Sequence, residues 1–307
     1  MSELLKNRYD FLFFFDVKDG NPNGDPDAGG LPRMDSQTGE GLVSDVCLKR
    51  KIRNYIQQTR AGVPGYDIFV KSKDFSGVET VLNAEIRKCY ETLGIDLRAK
   101  VDRDGHKRKT EDFGKATGSE IKCGRDWMCA KFYDVRTFGA VMSTGQNAGQ
   151  VRGPVQLTFA RSLDSIDRHE HSISVSAARD ENKPYEAQVG IQGRKSTVPY
   201  ALYAVSGFVS PSLAAQTKFT EEDFELFLEA LMNMFELDRS ASHGVMTSRK
   251  LYLFKHSNLF GNAPAYKLFE LVHAKKKSAV AFPRHFEDYD ISIDASELPE
   301  GVKLIMR

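Results

Sequence analysis

Residues 9–17 cluster apolar side chains as a central strand does, with Phe11-Leu12-Phe13-Phe14-Phe15 at its middle and Asp16 after it. Residues 18–41 then carry turn signals throughout: Gly20, Asn21-Pro22, Asn23-Gly24, Asp25-Pro26 and Gly29-Gly30. Ser44 or Asp45 caps a helix that runs to about Thr59, with Leu48, Ile52, Tyr55 and Ile56 as its buried stripe. Gly62 and Pro64-Gly65 break it. A second helix is expected near 78–93, followed by a highly charged span from Arg98 to Lys122. The tip of that span, Asp102-Arg103-Asp104-Gly105 flanked by Lys107, Arg108 and Lys109, reads as an exposed excursion. Strand patterns return at Phe132–Met142, Val155–Ala160 and His171–Ala177, and the polar stretch Arg179–Lys195 reads as a protruding hairpin. Tyr200–Val209 is strand-like. Glu221–Asp238 is the clearest helix, with Phe224, Phe227, Leu228, Leu231, Met232 and Phe235 at helical spacing behind a Thr220 cap. Leu251–Phe254 forms one more strand.

With the excursions removed, the order is strand, helix, strands, helix, strand. That order predicts an α+β class: a ferredoxin-like, or RNA-recognition-motif (RRM), core with long insertions. A chain of 307 residues with 41% hydrophobic and 28% charged residues is ordinary for a globular protein with a large core. The net charge of +1 means that any nucleic-acid site must come from local clustering. Cys47, Cys89, Cys123 and Cys129 have no framework or Cys-x-x-Cys spacing, so they read as reduced thiols of a cytoplasmic protein. The apolar run after Arg8 is too short for a signal peptide, and no segment has the length of a membrane span.

Several chemistries can be weighed on motifs. Gly39-Glu40-Gly41-Leu42-Val43-Ser44 lacks the third glycine of a dinucleotide fingerprint, and no phosphate-loop motif occurs. Asp16, Asp19, Asp25, Asp27 and Asp35 are dense enough to hold a divalent cation if a loop gathered them, but turn chemistry is the favoured reading. His169 and His171 could share a strand face, without a third ligand nearby. Ser143 lacks the glycine of a nucleophile elbow. What remains is cationic. A glycine-rich loop feeding a helix N-terminus offers free amide groups to an anion. Lys49, Arg50, Lys51 and Arg53 follow that entry, with no acid inside the run to form i,i+4 pairs. Arg136 and Arg152 read as strand-edge cations that could line the same groove.

In these residues the chain resembles the backbone subunits of type I CRISPR interference (Cascade) complexes, within the RAMP superfamily, and most closely the subtype I-C branch. The blocks that carry the resemblance span nearly the whole chain in order. They are Asn21-Pro22-Asn23-Gly24-Asp25-Pro26, Gly41–Val46 with Leu48–Arg53, and Asp134-Val135-Arg136-Thr137-Phe138-Gly139. They continue through Gly153-Pro154-Val155-Gln156, Gly193-Arg194-Lys195 with Val198-Pro199-Tyr200, and Arg249–Phe254. The resemblance implies an RRM-type palm from 1–60, 131–178 and 198–307, helical fingers at 61–130 and a β-hairpin thumb at 179–197. It implies copies polymerised along one CRISPR RNA, with the thumb displacing a base at intervals so that the guide pairs with a target DNA strand. Expected partners are therefore CRISPR RNA, target DNA, further copies of the chain and other Cascade subunits, with no membrane and no cofactor. Lys49, Arg50, Lys51 and Arg53 are the expected phosphate contacts, with Arg136, Arg194 and Lys195 beside them. No catalytic residue and no metal are expected. The alternative within the superfamily is a metal-dependent ribonuclease using Asp25 or Asp35.

Overall fold

The computed structural model describes residues 3–73, 76–97, 114–190 and 192–307. The charged tip around Asp102–Gly105 lies outside the described residues. In chain order the strands are β1 (Tyr9–Gly20), β2 (Gly24–Asp25), β3 (Leu31–Pro32), β4 (Glu40–Val43), β5 (Gly139–Met142), β6 (Gly149–Arg152) and β7 (Val155–Leu157). They continue as β8 (Ala160–Ser165), β9 (His169–Ser174), β10 (Gln192–Val209), β11 (Val245–His256), β12 (Val272–Lys276), β13 (Tyr289–Ile293) and β14 (Val302–Met306). The helices are α1 (Asp45–Thr59), α2 (Leu82–Thr92), α3 (Ser119–Lys131), α4 (Tyr133–Phe138), α5 (Pro211–Thr217), α6 (Glu221–Leu237) and α7 (Ala265–Glu270).

The main sheet is antiparallel, in the order β14-β11-β1-β10-β8-β4, with β7 and β9 also paired to β10. Its centre, β11-β1-β10 followed by β7 and β8, has α1 between the first and second core strands and α6 between the third and fourth. This is the ferredoxin-like arrangement expected from the pattern.

The unbroken apolar run of β1 has a simple cause: both faces of the strand are covered. Phe11, Phe13, Phe15 and Val17 point into the cluster formed with α1 and α6, where Phe15 stacks on Tyr203 at 5.3 Å and lies 5.3 Å from Phe235. Phe14 points to the opposite face and packs with Tyr252, Phe254, Leu268 and Tyr289. The glycine opposite Phe11 is needed for this packing. A Cβ at Gly207 would sit 2.0 Å from the Phe11 ring. The helix ends behave as their residues dictate. The Thr220 hydroxyl accepts from the Asp223 amide at 3.1 Å, and the Asp223 carboxylate accepts from the Thr220 amide at 3.0 Å.

Three stretches differ from the sequence reading. Residues 133–138 form a helix, not a strand. The aromatic and β-branched residues of this segment bury themselves between two cores, Tyr133 and Phe138 in the first and Phe132 and Val135 in the second. Tertiary contact on both sides overrides local strand preference here. The second core holds Phe69, Ile86, Tyr90 and Met128, and also Met142 and Ala148 of the β5–β6 hairpin. This second cluster therefore packs as a body that runs past residue 130 to the end of that hairpin. The chain beyond His256, to which the pattern assigned no element, adds α7 and the β12–β13 hairpin over the other face of the sheet, and β14 as the sheet's edge strand beside β11.

Candidate nucleic-acid interface

The entry to α1 is closed by the chain itself. Ser44 caps the helix, its hydroxyl accepting from the Cys47 amide at 3.4 Å, while the Ser44 amide and hydroxyl donate to Asn23 Oδ1 at 2.9 and 3.0 Å. Asp45 in the first turn supplies the negative charge that a helix N-terminus favours. The Gly/Pro/Asn loop thus serves as an N-cap brace.

The cations that follow divide by their reach to an acid. Lys49 pairs with Asp45 at 2.8 Å, an i,i+4 pair with an acid just outside the run. Lys51 is buried at 3% exposure and pairs with Asp238 beyond the end of α6. Burial opposes the ionised form of Asp238, but hydrogen bonds from His243 and Lys51 hold its pKa down at about 2. Arg53 donates to Asp134 at 2.8 Å, and the same buried carboxylate accepts from the Phe69 and Val70 amides at 2.8 and 3.0 Å. Arg50 is exposed on the outer face of α1.

Arg136 is not at a strand edge. It lies on buried α4 and grips Asp223 with two hydrogen bonds, 3.0 Å from Nε and 2.7 Å from Nη2, while Nη1 donates to the Gly65 carbonyl. Its guanidinium sits 5.1 Å from the ring centres of both Tyr66 and Tyr133. Burial disfavours the charge here, and the hydrogen bonds and charge of Asp223 more than offset it. Lys51 and Arg136 are therefore structural cations, committed to acids inside the fold. For Arg53 the sequence signal was its acid, Asp134, embedded in the apolar run Phe132-Tyr133-Asp134-Val135.

Arg194 and Lys195 are presented differently. The last half of β10 is a core strand, but its first residues, from Gln192 to Ser196, leave the core, and this stretch with Thr197 pairs with β9. All six residues of β9 are exposed, and Gln192, Gly193 and Arg194 are exposed opposite them. The hairpin expected at 179–197 is thus a two-stranded ribbon that begins earlier, at His169. The intervening turn is organised by Gln188, whose amide oxygen accepts from the Arg179 and Asp180 amides at 2.9 and 2.7 Å. Arg194 is 81% exposed and lies 3.7 Å from Glu170 across the ribbon. Lys195 donates to the Ala241 carbonyl, tethering the ribbon base to the loop after α6. A ribbon with little apolar burial is marginal on its own, so its fixed root in β10 is what holds it out from the sheet.

The remaining candidates take structural roles. Asp25 caps the following turn through the Asp27 amide at 3.2 Å and lies 3.4 Å from Arg33. Asp35 accepts from the Gln37 amide at 3.0 Å and from Arg161 at 3.0 Å; these two contacts, the amide first, draw its pKa below the usual carboxylate range. Asp16 is buried against Tyr200 and Arg249 at 2.8 and 2.7 Å. His171 bonds Thr197 across the ribbon at 2.9 Å, while His169 lies 2.9 Å from Asp167. The four cysteines are free. No helix among the described residues is long and apolar enough to cross a membrane.

Comparison with known proteins fits this architecture. A CRISPR-associated protein Cas7 of Haloferax volcanii is 26% identical over 236 residues, which cover 71% of this chain and 61% of that protein. The chain therefore spans less than two thirds of that relative's length. A chain of a CRISPR RNA-guided surveillance complex in a pre-nicking state superposes with a TM-score of 0.51, covering 80% of this chain and 78% of that one at 13% identity. The family model for the CRISPR-associated protein Cas7 matches residues 7–294, so the chain belongs to the Cas7 family.

Proposed function

We propose that this chain is the non-catalytic backbone subunit of a type I CRISPR interference complex, of the I-C branch, acting in the cytoplasm. Copies polymerise along a CRISPR RNA, hold its phosphate backbone, and leave its bases free to pair with a target DNA strand beside other subunits of the complex. The observation that carries this reading, within a Cas7 fold, is the β9–β10 ribbon. It is a rooted but uncovered projection with a cation exposed at its side, which suits reaching over a strand. Arg50, Arg194 and Lys195 are the proposed phosphate contacts, while Lys49 and Arg53 are held by Asp45 and Asp134. The absence of catalysis rests on Asp25 and Asp35 each being bound into its own turn.

Two measurements test the proposal. The chain expressed with a CRISPR array should copurify as a multimer with RNAs of uniform, repeat-derived sequence; heterogeneous RNA or none would refute the guide-holding role. Incubation of that complex with complementary RNA and Mg²⁺ should leave the RNA intact. Specific cleavage abolished by Asp25→Asn or Asp35→Asn would instead establish the ribonuclease reading.

A further inference from the structure

At the end of β10 remote from the ribbon, roughly 45 Å along the strand from Arg194, two clefts meet at Arg152. The first, about 240 Å³, lies between α3, β6 and α5 and is lined by Lys122, Arg125, Gln150, Arg152 and Thr217, with Asp126 as its acid. Lys122, Arg125 and Arg152 are exposed, and none forms an ion pair with the described residues. Thr217 is 2% exposed, and its hydroxyl oxygen is buried without a hydrogen-bond partner among the described residues. A buried hydroxyl in that condition is rare in folded proteins unless something else meets it. The cations of this cleft contrast with Lys51 and Arg136, each of which has found its acid.

The second cleft, about 440 Å³, shares Arg152 and is lined further by Arg8, Gln156, Phe208, Leu259 and Phe260. Phe260 is 78% exposed, yet the turn that presents it is built. Arg8 donates to the Phe260 carbonyl at 2.7 Å, and the Phe260 amide donates to Asn258 Oδ1 at 2.9 Å. Behind it, the Asn262 amide donates to Nδ1 of fully buried His256 at 2.9 Å, and His256 Nε2 lies 2.9 Å from Asp10. The aromatic ring is held in solvent by a hydrogen-bonded frame at the end of a row of uncommitted cations.

A cationic track ending on an exposed aromatic platform is what sequence-blind binding of a single strand requires, because phosphates meet the cations and a base stacks on the ring. We propose that this groove seats a single-stranded polynucleotide, its phosphodiesters at Lys122, Arg125 and Arg152 and a base on Phe260. The site depends on no contact of the ribbon and stands or falls separately from it.

The test is fluorescence anisotropy of the purified chain, freed of nucleic acid by high salt, with oligo-dT and oligo-rU as probes. The triple variant Lys122→Ala, Arg125→Ala, Arg152→Ala should weaken binding and make the slope of log K against log salt shallower by about 2, the effect of losing three contacts to a single strand. Phe260→Ala should weaken binding about tenfold with the salt slope unchanged. Both effects should persist in a chain that also carries Arg194→Ala and Lys195→Ala, which separates this groove from the ribbon. A response of both probes assigns the site to the shared phosphodiester chemistry, and a response of only one names the strand as DNA or RNA. Unchanged affinity and slope for both probes in the triple variant overturns the proposal. So does loss of self-association with oligonucleotide binding intact, which would make the groove a seat for a second copy of the chain. All four side chains are wholly or largely on the surface, so the thermal midpoint should hold; should it fall, the Phe260→Ala variant carries the test.

Discussion

The junction of α1, α4 and α6 and the β9–β10 ribbon both carry Lys and Arg in motifs that look alike as sequence, and the fold uses them for opposite purposes. In the junction, Arg53, Lys51 and Arg136 are drawn inward to Asp134, Asp238 and Asp223, residues far away in the chain. These contacts bolt the second hydrophobic cluster to the sheet and its helices: Asp134 binds α1 to the 69–70 segment, and Arg136 binds α4 to the start of α6. In the ribbon, no core lies within reach, so Arg194 keeps its charge in solvent. A cation's role thus follows from whether a buried acid sits across from it. The composition of the run around it does not decide the matter.

The largest expected effect tests the junction. Arg136→Ala leaves the Asp223 carboxylate buried without its bidentate partner, and should cost about 3–5 kcal/mol by urea unfolding. Arg136→Lys should recover only part of this, because an ammonium cannot reproduce the two-point grip. If either variant unfolds at the wild-type midpoint, the anchoring role is wrong. Asp134→Ala should follow closely, since it strands two backbone amides and Arg53 together; a loss of about 3 kcal/mol is expected.

A smaller effect is set by pH. The folded pKa of Asp238 lies at about 2, below the roughly 3.9 of an unfolded aspartate. Its contribution is therefore fully present above pH 4 and is lost as pH falls from about 4 through about 2, by at most about 3 kcal/mol. Unfolding curves across that window should show the slope in the wild type and a flatter profile in Lys51→Met. An equal slope in both would remove Lys51 as the cause.

Much of the scaffold was legible because it is written in local code. The two-sided apolar run of β1, the Ser44 and Thr220 caps, and the helical spacing of Phe224, Phe227 and Leu231 each specify an element without help from elsewhere. The segment 132–138 has a strand-like pattern yet folds mostly as a helix, because its β-branched and aromatic residues answer to two cores at once, which no window of sequence contains. The site was legible in composition but not in partition. That Arg136 belongs to Asp223 and Lys51 to Asp238 depends on how α6 lies against α1 and α4, and the i,i+4 acid for Lys49 stood one residue past the cap. The last fifty residues gave short, weakly alternating strands that only packing against Tyr252 and Phe254 makes definite.

The ribbon should show the smallest change in stability and the clearest change in binding. Arg194→Ala should leave the unfolding midpoint within about 0.5 kcal/mol of wild type, as exposed substitutions do. The most direct measurement of the account is the salt dependence of guide-RNA binding in the triple variant Arg50→Ala, Arg194→Ala, Lys195→Ala. Loss of three phosphate contacts to a single strand should make the slope of log K against log salt shallower by about 2 while the fold is retained. An unchanged slope in that folded variant would contradict the claim that these cations grip the guide.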